Sequence, residues 1–276
     1  SNTAALKIAA YYKELRDMIQ ARTYLFVPVL GNYNTFDNID FGTTKGFTFQ
    51  FDRRRTNNIQ LQVNYTLQFA DGTGSNALSQ RSLSQNGNLR TLFPLNFDER
   101  HRLNAVIDYR YGRGRRYTGP QWFGKDIFAD AGINLQATAV SGRPFTATST
   151  PRPFGGDGTV GAINGARLPW NFTINARVDK NFKLTRPSAA SPIFLNVYCR
   201  VQNLLDTRNI LGVYSATGSA DNDGFLASED GLIRIRTIKD AGADERAFRD
   251  AYAWALANPN FYSLPRRILV GAIVQF

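Results

Sequence analysis

The chain has 276 residues, a net charge of +11 and a pI near 9.9. Its mean hydropathy is −0.32, and no run of about 18 apolar residues exists, so a transmembrane helix is excluded. The same average does not exclude a membrane, because a barrel strand needs only alternate residues apolar.

One cysteine, Cys199, and one histidine, His101, allow neither a disulfide framework nor a His-based metal cluster. The closest basic runs, Arg53-Arg54-Arg55 and Arg113 with Arg115 and Arg116, fall at turns rather than along a helix stripe. Nucleic acid is therefore not expected as a partner, and attraction to anionic lipid head groups accounts for the charge more economically. The start, Ser1-Asn2-Thr3, carries no signal-like segment. The expectation is a mature chain or one that begins partway into a longer polypeptide.

In chain order, the first predicted strand covers roughly 4–18 and is the least regular. In the second, Phe47, Phe49 and Phe51 alternate with Thr48, Gln50 and Asp52. The clearest alternation runs over 59–70. Ile59, Leu61, Val63, Tyr65, Leu67 and Phe69 share one face, while Gln60, Gln62, Asn64, Thr66 and Gln68 share the other. The rhythm recurs over 101–111, interrupted on the polar side by Val106, and again over 128–140, 170–182 and 193–204. A last segment places Ile268, Val270, Ala272, Val274 and Phe276 on one face.

Period-two alternation also fits a soluble sandwich. Two features favour a barrel. The polar faces carry Asn, Gln, Thr and Arg with few Glu or Lys, as an enclosed interior would. The connections alternate too: those near 53–58, 112–125 and 185–191 read as short, those near 19–40, 71–98, 148–167 and 206–262 as long. Short periplasmic turns with long extracellular loops are the barrel pattern. The predicted class is all-β, with about eight antiparallel transmembrane β-barrel strands. Within the last loop, 243–257 has Phe248, Ala251, Tyr252 and Ala255 at helical spacing and predicts a short amphipathic helix, packed on the rim.

Further segments resemble the C-terminal part of TonB-dependent outer-membrane receptors, especially the large Oar-like ones. They are Tyr12-Lys13-Glu14-Leu15-Arg16-Asp17-Met18-Ile19, Asn38-Ile39-Asp40, Gly42-Thr43-Thr44-Lys45-Gly46-Phe47, and Pro94-Leu95-Asn96-Phe97-Asp98-Glu99-Arg100-His101. Ser141-Gly142-Arg143-Pro144-Phe145-Thr146, Gln202-Asn203-Leu204-Leu205-Asp206 and the end from Tyr262 to Phe276 complete the set.

The resemblance implies that 1–276 is the C-terminal barrel portion of a 22-stranded receptor in the outer membrane of a Gram-negative-type bacterium. Nothing in the chain resembles the plug domain or the segment that meets the TonB complex. A complete eight-stranded barrel remains open on counting alone. The implied function is uptake of a substrate captured by the loops. The alternative is a structural or partner-binding barrel within a surface complex.

The implied partners are outer-membrane lipid, lipopolysaccharide and the barrel-assembly machinery, which would read Phe276 with Val274 and Ala272. Asp108, Arg110, Arg177, Asp179 and Arg200 form a candidate lumen-facing polar wall, with mutual pairing across strands as the plainer account. Asp157-Gly158 and Asp221-Asn222-Asp223-Gly224 invite calcium but lack a full calcium loop, so turns are expected. No catalytic group, metal site or cofactor is predicted.

Overall fold

The computed structural model describes residues 3–79, 91–185 and 193–276. Eight long strands lie in one antiparallel sheet in simple sequence order: β1 Ala4–Val27, β2 Gly31–Thr56, β3 Ile59–Gly72, β4 His101–Arg110, β5 Ala131–Val140, β6 Asn171–Lys183, β7 Phe194–Gln202 and β8 Arg267–Gln275. The order is an open path. Among the described residues β1 pairs only with β2, and β8 only with β7. An eight-stranded closure is thus not what this chain forms.

The register joins the apolar positions of neighbouring strands into one band. Ile8 faces Phe49, Phe49 faces Tyr65 and Tyr65 faces Leu103. Leu103 then faces Ala139, and Ala139 faces Phe172. Further along the sheet, Val178 faces Cys199, which faces Val270. Among the described residues no second sheet packs on this band. Phe47, Ile107, Phe172, Val178 and Val270 are all exposed, an arrangement no sandwich tolerates. The buried hydrophobic cluster, Tyr214, Phe225, Tyr252 and Leu256, lies instead inside the final loop.

Aromatic rings flank the band at both ends. At one end Tyr65 stacks on His101 and hydrogen-bonds its Nδ1 at 2.8 Å, while His101 stacks on Trp170. At the other, Tyr109, Tyr117 and Phe128 surround Tyr111. From His101 to Tyr109 is about 26 Å along the strand at roughly 3.3 Å per residue. At a tilt of about 40° that length rises about 20 Å, most of an apolar layer about 25 Å tall.

The structure corrects several boundaries. The region 19–40, expected to be a long loop, is strand. β1 has 24 residues and β2 has 26, so the hairpin turns only at 28–30. A register shift between Leu15 and Met18, with Asp17 at φ 57°, throws the alternation out of phase, which hid the continuation from sequence. The connection 111–130, expected to be short, holds a 3₁₀ turn at Gly114–Arg116 and a small hairpin closed by two bonds between Trp122 and Lys125. It delays β5 to Ala131, where Asp130 reverses the chain at φ 54°. The connection near 53–58 is short, as expected, and tighter than its bounds: Asn57 and Asn58 take φ 51° and 70°, the left-handed pair of a type I′ hairpin. The segment expected as a turn at 185–191 falls almost entirely outside the described residues.

Glycines on the polar face make room for large neighbours. Gly271 lies opposite Tyr198, and a Cβ there would come within 2.6 Å of the ring. Gly132 lies opposite Arg110, whose guanidinium would be 2.8 Å from an added Cβ. Gly271→Val should therefore destabilise the protein by about 1–3 kcal/mol through overpacking. Tyr198→Ala in the same chain should recover most of that loss, read as a double-mutant cycle of urea unfolding in lipid vesicles.

Candidate functional site

The period of two places Asp108 and Arg110 of β4, Arg177 and Asp179 of β6, and Arg200 of β7 on the polar face. The register then brings them side by side. Asp108 lies opposite Asn134, Asn134 opposite Arg177, and Arg177 opposite Arg200. With Gln136, Asn175 and Gln202 they line a cavity of about 580 Å³.

Its charges are unevenly satisfied. Asp179 is only 6% exposed and sits 2.7 Å from an Arg110 guanidinium nitrogen. It also accepts a 3.0 Å bond from Asn196 Nδ2. Arg177 lies 3.9 Å from Asp179, donates to Asn196 Oδ1 at 3.2 Å and stands 4.5 Å over the Tyr198 ring. Asp108 pairs with Arg55 and accepts a longer bond from Asn134. Arg200 has a ring contact at 6.0 Å and, among the described residues, no carboxylate partner. The wall is a paired network with one cation left over, suited to an anionic or hydrogen-bonding group rather than to acid–base chemistry.

Two extracellular-type loops, 141–170 and 203–266, build a shared cap at one end of the sheet. The second holds helices α1 (Glu229–Asp240) and α2 (Glu245–Leu256). Helix α2 falls within the predicted 243–257, with the Asp244 side chain capping its N-terminus. Tyr252 of α2 packs on Phe225 and stacks on Phe154 from the other loop. Arg152 reaches Asp230 at 2.7 Å, and Thr148 bonds Ser215.

Asp223 is the buried pin of this cap. Its carboxylate accepts from the Phe154 and Phe225 amides and from the Tyr252 hydroxyl. Burial first, then Asp223, pushes the Tyr252 phenol up from its ordinary value. The turn that invited calcium thus spends this carboxylate on protein donors. Among the described residues no group of three acidic, His or Cys side chains is placed to hold a metal.

Two of the segments behind the family resemblance act at the loop bases. Asp98, 1% exposed, accepts from the Ala70 amide and pairs with Arg167. Asn203 donates to the Thr207 and Leu264 carbonyls and accepts from the Thr207 amide. Asn209, which sequence reasoning missed, brackets Phe172 through its amide and its carbonyl. At the end of the polar run Asp206-Thr207-Arg208, one more asparagine gave no warning of that role. Phe276 lies just past β8 and is 98% exposed, with Val274 and Ala272 also exposed.

No family model matches the chain, and no curated protein does. Three solved structures share partial similarity. The outer membrane transporter YddB from Escherichia coli matches at TM-score 0.48 and 11% identity, over 76% of this chain and 28% of that one. The ferric-catecholate import receptor Fiu from E. coli K12 matches at 0.43 and 13%, over 79% and 23%. FpvA from P. aeruginosa, in complex with a heterologous pyoverdine and iron, matches at 0.40 and 11%, over 76% and 22%. The matched region spans under a third of each of those proteins.

Removing one partner of the buried pair should be costly. Asp179→Ala should lose about 3 kcal/mol or more of unfolding free energy, because Arg110 then keeps a desolvated charge. The double replacement Arg110→Met with Asp179→Leu should lie closer to the parent protein in the same titration.

A pH effect is expected at Glu99, outside the strands. Burial pushes its carboxyl up, but bonds from Arg143 and Arg102 outweigh that and hold it below the ordinary value. A depressed folded value means that the contribution is present above the unfolded pKa of about 4.3 and is lost as pH falls through the lower folded one. Proteolysis of the loops should accelerate in that acid window, and Glu99→Gln should flatten the dependence.

Proposed function

We propose that the chain forms part of the wall of an outer-membrane transport receptor in a Gram-negative-type bacterium. In this reading the joint cap of loops 141–170 and 203–266 belongs to the surface that captures substrate. A plug outside the chain, energised by the TonB complex, gates passage along the polar wall. The barrel-assembly machinery would read Phe276, Val274 and Ala272, and the apolar band would meet lipid and the acyl chains of lipopolysaccharide.

One observation carries the membrane part: a sheet of eight strands keeps its apolar face uncovered, in register and bounded by aromatic rings. In water such a surface would drive aggregation; in hydrocarbon it is the expected outer wall. Hydrocarbon also demands that every backbone donor and acceptor be paired, so the free edges of β1 and β8 call for further strands. The resemblance at the loop bases supports a receptor rather than another kind of barrel.

Ala105 sits mid-strand on the apolar face, opposite Val63 and Ala137, and Asn104 beside it points to the polar face. Ala105→Arg should lower folding stability in bilayers by about 2–4 kcal/mol, whereas Asn104→Arg should stay near neutral. The reverse order would refute the assignment of faces. Cross-linking of the full-length protein to TonB in cells tests the transport part, and its absence would leave a structural wall.

A further inference from the structure

The connection 111–130 lies at the end of the sheet shared with the Asn57–Asn58 turn, opposite the capped loops, and it does more than join β4 to β5. Tyr111, on the apolar face, gathers Tyr117 and Phe128 around it. Gly119 fits so close to both Tyr117 and Tyr111 that an added Cβ would be 2.7 Å from one ring's hydroxyl. The Tyr117 hydroxyl donates to the Pro120 carbonyl and accepts from the Phe128 amide. Lys180, on the apolar face of β6, reaches the Ile127 carbonyl. These contacts lay the connection against the lower rim of the apolar band.

Its tip is locked and apolar. The Trp122 and Lys125 backbones exchange two 3.0 Å hydrogen bonds across Phe123 and Gly124, at φ 48° and 72°. A phenylalanine in left-handed backbone is unfavourable, yet its ring is 93% exposed beside a Trp122 that is 63% exposed. In the same connection Arg115 and Arg116 of the 3₁₀ turn and Lys125 of the tip are exposed and, among the described residues, without a carboxylate partner. Arg113 pairs with Asp130 at 2.7 Å, and the one remaining carboxylate, Asp126, accepts from the neutral Gln121 amide and keeps its charge against three cations.

We propose that this hairpin is a lipid anchor: Trp122 and Phe123 enter the acyl boundary of the periplasmic leaflet while Arg115, Arg116 and Lys125 hold anionic phospholipid phosphates. It rests on the membrane reading above. The occupant follows from three things together. The tip continues the lipid-facing band through Tyr111, its rings are of the type favoured at bilayer interfaces, and the charge of the connection is net positive.

The test uses the full-length protein in vesicles of phosphatidylcholine, with or without an equal part of phosphatidylglycerol, carrying bromine on the upper acyl carbons. The double variant Trp170→Phe with Trp254→Phe leaves Trp122 as the reporter within this chain, and Trp122→Phe with Trp254→Phe leaves Trp170; tryptophans elsewhere in the protein are replaced in both. The expected result is bromine quenching of both reporters, with Trp122 quenching rising when phosphatidylglycerol is present. Changing Arg115, Arg116 and Lys125 to Gln should abolish that rise. Quenched Trp170 with unquenched Trp122, open to aqueous acrylamide, overturns the anchor, leaving the tip to a protein partner. Equal Trp122 quenching in both lipids also overturns it. If neither reporter is quenched, the membrane reading itself fails.

Discussion

Side chains on a strand alternate between two faces, so a slip of one residue in any pairing would carry the whole apolar set of that strand to the wrong side. Everything else in this protein depends on preventing that slip. The pairings are held by local chemistry at separated places. Asn57 and Asn58 close β2 to β3 with left-handed backbones, while Tyr198 fits over Gly271 and Arg110 over Gly132. None of these is an apolar core contact. The sheet has no core of its own, and its register is fixed by turns and by shape on the polar face.

Strands whose alternation ran unbroken could be read directly from the residues. Ile59–Gly72 needed nothing beyond its hydrophobic period, and the same held to within a few residues for β6, β7 and, despite Val106 on its polar side, β4. Legibility failed where local geometry shifted the period. The irregularity at Leu15–Met18 made a continuous strand look like a strand followed by a loop. Helix α1 was hidden for the opposite reason. Ile233-Arg234-Ile235-Arg236 alternates as a strand would, but the Ser228 cap, the acidic first turn of Glu229 and Asp230, and Lys239 in the last turn hold a helix there. The connection 111–130 was misjudged because its aromatic residues resemble the start of a strand.

The polar wall was visible as a set of residues but not as a network. Alternation placed Asp108, Arg110, Arg177, Asp179 and Arg200 on one face. Which carboxylate met which cation depended on register, and register is a property of pairs of strands. Asp179 takes Arg110 across β5, from a strand that is not its immediate neighbour, because Gly132 between them has no side chain to intervene. Arg200 lies one strand beyond, where the facing residue of β8 is Leu269. The unpaired cation is thus a consequence of an apolar final strand.

A net charge of +11 looks at first like a diffuse property of the chain, yet the two ends of the sheet use their cations differently. At the capped end four basic residues are spent on protein acceptors: Arg167 on Asp98, Arg143 and Arg102 on Glu99, Arg152 on Asp230. All but the local Arg102–Glu99 pair join loop to loop, so they act as structural ties. In the connection 111–130 the exposed Arg115, Arg116 and Lys125 find no such acceptors among the described residues. Exposed cations at a bilayer surface are worth more against lipid phosphates than against a solvated carboxylate, whose attraction water and salt screen. One composition thus serves two ends differently: cations tie loops together at the capped end and, in the proposed anchor, would meet head groups at the other.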